Sequence, residues 1–181
     1  GAGTAFINGV GMGFANALPD GPVGIVSAAG TGLQEVSTIL AANGVGISQA
    51  IGTGGRDLSK AVGGLMAAAS IEALIADETT EMIVLISKPA DESVTRKLMG
   101  LLKKGKKAAV ICTLGAKIEK AQDANIHFTS TLEACAMTAV NLIGKKTVDY
   151  LTYVEKDLQI LAARASEIRS GLKKGQRFIR G

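Results

Sequence analysis

The stretch "SAAGTGLQEVSTIL", Ser27–Leu40, follows the apolar run "VGIV" and turns through glycines into a segment with helical spacing. Apolar strand, glycine turn and helix make the first half of a strand-helix-strand unit. The pattern recurs along the chain. "GPVGIVSAAG", "VGISQAIGTGG", "EMIVLISKP", "KKAAVICTLG" and "NIHFTST" are short runs rich in Val and Ile, each closed by Gly, Ser, Thr or Pro. They read as five buried parallel strands. Helical patterns lie between or after them at Leu33–Ala42, Leu58–Ile75, Glu92–Lys104 and Thr131–Ile143, with Ser130 and Thr131 as caps of the last. The connection from Gly115 to Asn125 is shorter, and its "AKIEKAQDA" has room for one or two helical turns. The expected fold class is α/β, a sandwich built on a five-stranded parallel sheet with right-handed crossovers.

After Gly144 the pattern changes to one long helix. Val148, Leu151, Leu158, Leu161, Ile168 and Leu172 recur at spacings that make an apolar stripe, with Glu155, Lys156, Arg164 and Arg169 on other positions. A helix of this kind is expected to be a packing or coiled-coil-like arm, the competing reading being a basic face for anions. The stripe needs a covering surface, either the main body or a second copy, so a homodimer is expected. The domain division follows: 1–144 forms the body and 145–181 the helical arm.

The length of 181 residues suits one domain with an extension. Aromatic residues are only 3% of the chain while glycines number 23, which favours close backbone packing and tight turns. No apolar run approaches the roughly 20 residues that span a bilayer, and the glycine-rich start lacks the charged flank and apolar block of a signal peptide. A soluble, cytoplasmic protein without a membrane partner is the expectation. Cys112 and Cys135 each sit inside an apolar run, with no metal-ligand spacing around them and a single histidine in the chain. They read as buried packing residues in a reducing compartment, and no metal site is expected. The net charge of +4 belongs to the tail, where nine Lys and Arg from Lys145 onward stand against four acids. The rest is close to neutral, and with few aromatics to stack bases no nucleic-acid partner is expected.

In a parallel α/β sheet, ligands bind beyond the carboxyl ends of strands, where helix N-termini present unpaired N–H groups and the positive end of a dipole. Ser27 to Leu33 occupies such a place: Ser27 and Thr31 bring hydroxyls, and Gly30 and Gly32 allow close backbone approach. No GK[ST] follows, so this is not a P-loop, and "GTGLQE" lacks the glycine spacing of a dinucleotide fingerprint. Alone, the turn fits an anion cradle and a plain change of direction equally. A second cluster, Gly52-Thr53-Gly54-Gly55, closes the next strand, and two such turns on one sheet edge favour a phosphate or acyl phosphate. Arg56 and Lys88 are candidate cations beside them, set against a reading as exposed surface residues. Asp57 reads as a helix N-cap, and Glu35 as a first-turn carboxylate that complements its helix dipole.

"GPVGIVSAAGTGLQEVSTILAANGVGISQAIGTGGRDLS" resembles the second domain of the succinyl-CoA synthetase α subunit and of related CoA ligases. "GTAFINGV", "FANALPDG", "GTGLQEV", "ISQAIGTGGRDLS", "VGGLMA" and "VLISKP" bring it nearer to the FdrA family of acyl-CoA synthetase-like proteins. The similarity is strong from Gly3 to Gly115 and looser to Gly144. It implies a flavodoxin-like, three-layer domain whose phosphate-facing loops hold Ser27, Gly30, Thr31, Gly32, Gly52, Thr53, Gly54 and Gly55. It also implies that the chain is a central piece, with an N-terminal CoA-binding-type domain and a C-terminal half lying outside it. Two chemistries go with the family: acyl-CoA synthesis, and in purine catabolism carbamoyl transfer between oxamate and carbamoyl phosphate. No cofactor is then expected within the chain itself, with CoA, ATP or carbamoyl phosphate serving the longer protein and its partner subunits. The family's phosphorylated histidine, in a glycine-rich loop after the fourth strand, has no counterpart, because "AKIEKAQDA" stands there. His127 instead falls in the strand pattern "NIHFTST", where it reads as a buried or edge-strand residue. The catalytic residues stay unassigned, and a non-catalytic structural or subunit-interaction domain is the alternative function.

Overall fold

The computed structural model describes residues 4–13, 16–115, 124–144, 150–173 and 175–176. The chain divides into two compact units, Gly1–Lys146 and Thr147–Gly181.

The first unit opens with a hairpin, β1 (Ala5–Ile7) and β2 (Val10–Met12), which the apolar runs did not announce. Its turn is Asn8-Gly9, with φ of 49° and 78°, the mirror-image turn that matches the twist of paired strands. Five strands then follow: β3 (Asp20–Ser27), β4 (Ile47–Gly52), β5 (Met82–Ser87), β6 (Ala108–Thr113) and β7 (Ile126–Thr129). All five pair in parallel, and the sheet order is β2-β1-β4-β3-β5-β6-β7. Among the parallel strands this is the flavodoxin-like order, with the first strand between the second and the third. The hairpin extends the sheet antiparallel to β4.

Helices α1 (Gly30–Ala42) and α4 (Leu132–Gly144) cover one face; α2 (Leu65–Ala76) and α3 (Glu92–Gly105) cover the other. The central strands β3, β5 and β6 are apolar on both faces because both are covered. Met82, Val84 and Ile86 of β5 pack towards α1 and α4, while the intervening Ile83 and Leu85 pack towards α2 and α3.

Two helix starts differ from the sequence reading. α1 begins at Gly30, three residues before the expected Leu33, so the glycines belong to its first turn. Glu35 therefore lies beyond that turn, exposed, and does not take the expected first-turn place. α2 begins at Leu65 instead of Leu58, because Gly63 and Gly64 adopt φ of 71° and 65°, which a helix does not accommodate. A short 3-10 turn, Gly55–Leu58, fills part of the gap. α3 and α4 follow the expected spans closely, and Thr131 Oγ1 caps α4 by accepting from Ala134 N–H at 3.1 Å. The expected turns in "AKIEKAQDA" fall mostly outside the described residues.

In the second unit, α5 runs from Tyr150 to Ser170. Val148 of the expected stripe lies outside the described residues. Among the described residues no helix is long and apolar enough to cross a membrane.

Candidate functional site

The switch point of the sheet lies between β3 and β5, where the chain leaves towards opposite faces. The turn after β3 carries Ser27 to Gly30, and the turn after β4 carries Thr53 to Arg56. Parallel pairing puts Ser27 opposite Gly52, so both turns emerge at one edge, as the sequence reading expects. A backbone bond joins them: Thr53 N–H donates to Ser27 O at 2.8 Å. The next residues stay close, and a Cβ added at Gly55 would lie 3.9 Å from Ala28 O.

The buried hydroxyls build this scaffold. Ser27 Oγ accepts from Ala29 N–H at 3.1 Å and donates to Ala29 O at 2.7 Å, and Thr53 Oγ1 donates to Ser27 O at 3.4 Å. Both side chains are used by the backbone, which leaves amide groups as the principal donors of the edge. α1 starts after Ala29, which has no side chain able to cap it, and the first bond along the helix is Leu33 N–H to Ala29 O at 2.9 Å. The amides of Gly30, Thr31 and Gly32 precede that bond at the positive end of the helix dipole. Thr31 is exposed beside them.

Gly32 has a second task. A Cβ there would meet Leu132 Cδ2 at 3.2 Å and both Ala29 Cβ and Ile86 Cγ2 at 3.3 Å, so the missing side chain lets α1 approach α4 and the sheet. Gly54 takes φ of 82°, a conformation suited to glycine, and turns the chain into the 3-10 segment. Gly52 N–H donates to Thr4 O at 2.8 Å, tying the N-terminal segment to the same edge. Arg56 is exposed on the 3-10 turn and Lys88 is exposed just after β5.

Asp57 is a cap, though across a distance the sequence did not reveal. Its Oδ1 accepts from Met66 N–H at 2.9 Å and its Oδ2 from Ala67 N–H at 2.8 Å, so a buried carboxylate before the glycines holds the start of α2 after them. His127 lies within β7, the edge strand, opposite Val110 and half-buried.

Cys112 on β6 and Cys135 on α4 are both free, buried and in one apolar cluster. Distant in sequence, they meet in space. Their hydrogen bond holds the Cys112 thiol below its ordinary value, helped by Thr129 and opposed by burial, while that bond and burial push the Cys135 thiol well up. Among the described residues no group of three His, Cys, Asp or Glu side chains could hold a metal ion. A groove of about 630 Å³ lies at the opposite, amino edge of the sheet, lined by residues including Asn8, Asp20, Gln49, Thr79 and Glu81. Its two carboxylates and its distance from the helix N-termini make it unsuited to an anion.

A sheet of this order, with glycine turns gathered at its switch point, is a doubly wound α/β domain of the kind in which ligands bind beyond the carboxyl ends of the strands. Residues 19–115 match the CoA binding domain family, and the chain belongs to that family. The match includes both glycine turns, and it names the kind of module that the FdrA resemblance places outside the chain. Over 180 residues the chain is 39% identical to the uncharacterized protein YahF of Escherichia coli K12, covering 99% of this chain but 34% of YahF. It thus spans about a third of that relative's length. The fold is also similar to PH0766 from Pyrococcus horikoshii OT3, with a TM-score of 0.48 and 21% identity over 70% of this chain and 28% of that one. ATP citrate lyase from Methanothrix soehngenii, solved with citrate and coenzyme A, gives a TM-score of 0.45 and 20% identity over 90% of this chain and 27% of that one.

Proposed function

We propose that this chain is the CoA-ligase-like domain of a longer, FdrA-type acyl-CoA synthetase-like protein, and that its carboxyl edge binds the phosphate of CoA or of an acyl phosphate. The observation that carries this is the uncapped start of α1 at the switch point, beside the Thr53–Arg56 turn held there by Ser27. Amides of Gly30, Thr31 and Gly32 would hold the phosphate oxygens, with Arg56 and Lys88 adding positive charge from two further turns. CoA, when bound, supplies a thiol nucleophile for an acyl group. The residues of this chain bind and orient the anion and stabilise charge that develops on it.

For the whole protein the two candidate activities are acyl-CoA synthesis with CoA and ATP, and carbamoyl transfer between oxamate and carbamoyl phosphate in cytoplasmic purine catabolism. The second is favoured. The one histidine of the chain sits within β7, so a phosphohistidine route has no residue at the edge, whereas direct transfer to phosphate needs none. In this reading 1–144 is the ligand-binding body and 145–181 an arm leading towards a further half and partner subunits.

A structural domain without phosphate chemistry is the second reading, favoured by the backbone bonds that occupy the Ser27 and Thr53 hydroxyls. Calorimetric titration of the intact chain with CoA, inorganic phosphate and carbamoyl phosphate separates the two. Saturable binding that is lost in Gly30→Val supports the ligand site. Heat signals indistinguishable from buffer for all three ligands support the structural reading.

A further inference from the structure

We propose that α5 pairs with the α5 of a second copy, antiparallel, to make a homodimer. Along the helix, Val154, Leu158, Leu161, Ala165 and Ile168 recur in alternating steps of four and three residues, the repeat of a coiled-coil seam. Leu158, Leu161 and Ile168 are 58%, 61% and 45% exposed, so the seam presents large apolar groups to water. The 21 residues of α5 extend about 31 Å at 1.5 Å per residue, enough for a short two-helix contact.

Charge chooses the partner and its direction. The seam is flanked by Asp157 and Arg164 on one side and by Glu155 and Arg169 on the other, acids near the start and bases near the end. Two copies related by a two-fold axis beside Gln159 and Ile160 set Leu158 against the partner's Leu161, and Val154 against the partner's Ala165. Of the flanking residues, Asp157 then lies beside the partner's Arg164 and pairs with it by sign, while Glu155 comes beside the partner's uncharged Ala162. The two-fold repeats that pair, giving two attractive contacts. A parallel pair would instead bring Arg164 beside the partner's Arg169, which repels. The helix is complementary to itself only when reversed.

Sedimentation equilibrium of the intact 181-residue chain at low salt reads this directly. The expected mass is twice that of one chain at micromolar concentration, falling to one chain in Leu158→Asp/Leu161→Asp. Arg164→Glu tests direction without touching the seam: it should weaken the dimer at least tenfold, and Asp157→Arg added to it should restore the dimer. A chain that is monomeric throughout overturns the proposal, the stripe then being covered by its own body or by another protein. A dimer that Arg164→Glu strengthens overturns the antiparallel arrangement in favour of the parallel one.

Discussion

Thr53 N–H reaches Ser27 O at 2.8 Å, and this bond, with that from Thr53 Oγ1 to the same oxygen at 3.4 Å, ties the two glycine turns together. Each turn ends a different strand, yet the two are held side by side at one edge. A ligand held by α1, as proposed, would therefore lie beside the Gly54–Arg56 turn.

The two glycines at the start of α1 should behave differently. Gly30→Val is expected to leave the melting temperature within a few degrees while weakening CoA or phosphate binding, because the new side chain obstructs the approach to the first amides. Gly32→Val is expected to destabilise the fold by about 1–3 kcal/mol, since Leu132, Ala29 and Ile86 already crowd that position. Thermal unfolding and calorimetry on both variants check the contrast, and equal behaviour in the two assays would count against the assignment.

Asp57→Ala should destabilise by roughly 2 kcal/mol, through loss of the α2 cap and of partners for two backbone donors. For a chain of this size that corresponds to a fall of about 4–8 °C in Tm. Asp57→Asn should be intermediate, because an amide offers one acceptor where the carboxylate offers two. A melting curve unchanged in Asp57→Ala would show that α2 starts without the cap.

Acid stability should carry a signature of Asp77. Burial pushes its carboxyl up, but hydrogen bonds from Thr80 and Thr79, with Gln49, together hold it below the usual carboxylate value. A folded value below the unfolded one stabilises the fold above about pH 4, and that contribution disappears as pH falls through the folded value. Asp77→Asn should therefore flatten the acid limb of the stability curve and leave its slope at neutral pH unchanged. Urea midpoints measured from pH 2 to 7 test this, and superimposable acid limbs would refute it.

His127→Gln is expected to preserve ligand binding by the chain, and most activity in the longer protein, because the ring belongs to the edge strand and not to the turns. Detection of a phosphoryl group on His127 by mass spectrometry would reverse that assignment.

β3, β5 and β6 were legible as continuous Val- and Ile-rich runs, the mark of strands buried on both faces, and β4 and β7 as shorter Ile-bearing runs closed by Gly or Ser and Thr. α3 was legible through its amphipathic spacing; the cap, Asp91, whose side chain accepts from Ser93 N–H at 2.9 Å, came only with the structure. The start of α1 was not, because Gly30 and Gly32 look like turn residues, and the contact that gives Gly32 a packing role comes from Leu132, far along the chain. α2 was misplaced because Asp57 and Leu58 look like a cap and a first turn, whereas the carboxylate reaches over the intervening residues to Met66 and Ala67. Asn8-Gly9 did carry a local hairpin signal, but the flanking strands are only three residues each, too short to read as strands by apolar pattern. The meeting of Cys112 and Cys135 has no local signal at all, since it follows from α4 packing on β6.

Backbone NMR of the intact chain during titration with CoA, and separately with carbamoyl phosphate, tests the ligand site most directly. Saturable shifts in the amides of Gly30, Thr31 and Gly32, with Gly54 to Arg56 following at the same midpoint, are the predicted result. Shifts confined to the opposite edge around Asp20 and Glu81, or no saturable shift with either ligand, would contradict it.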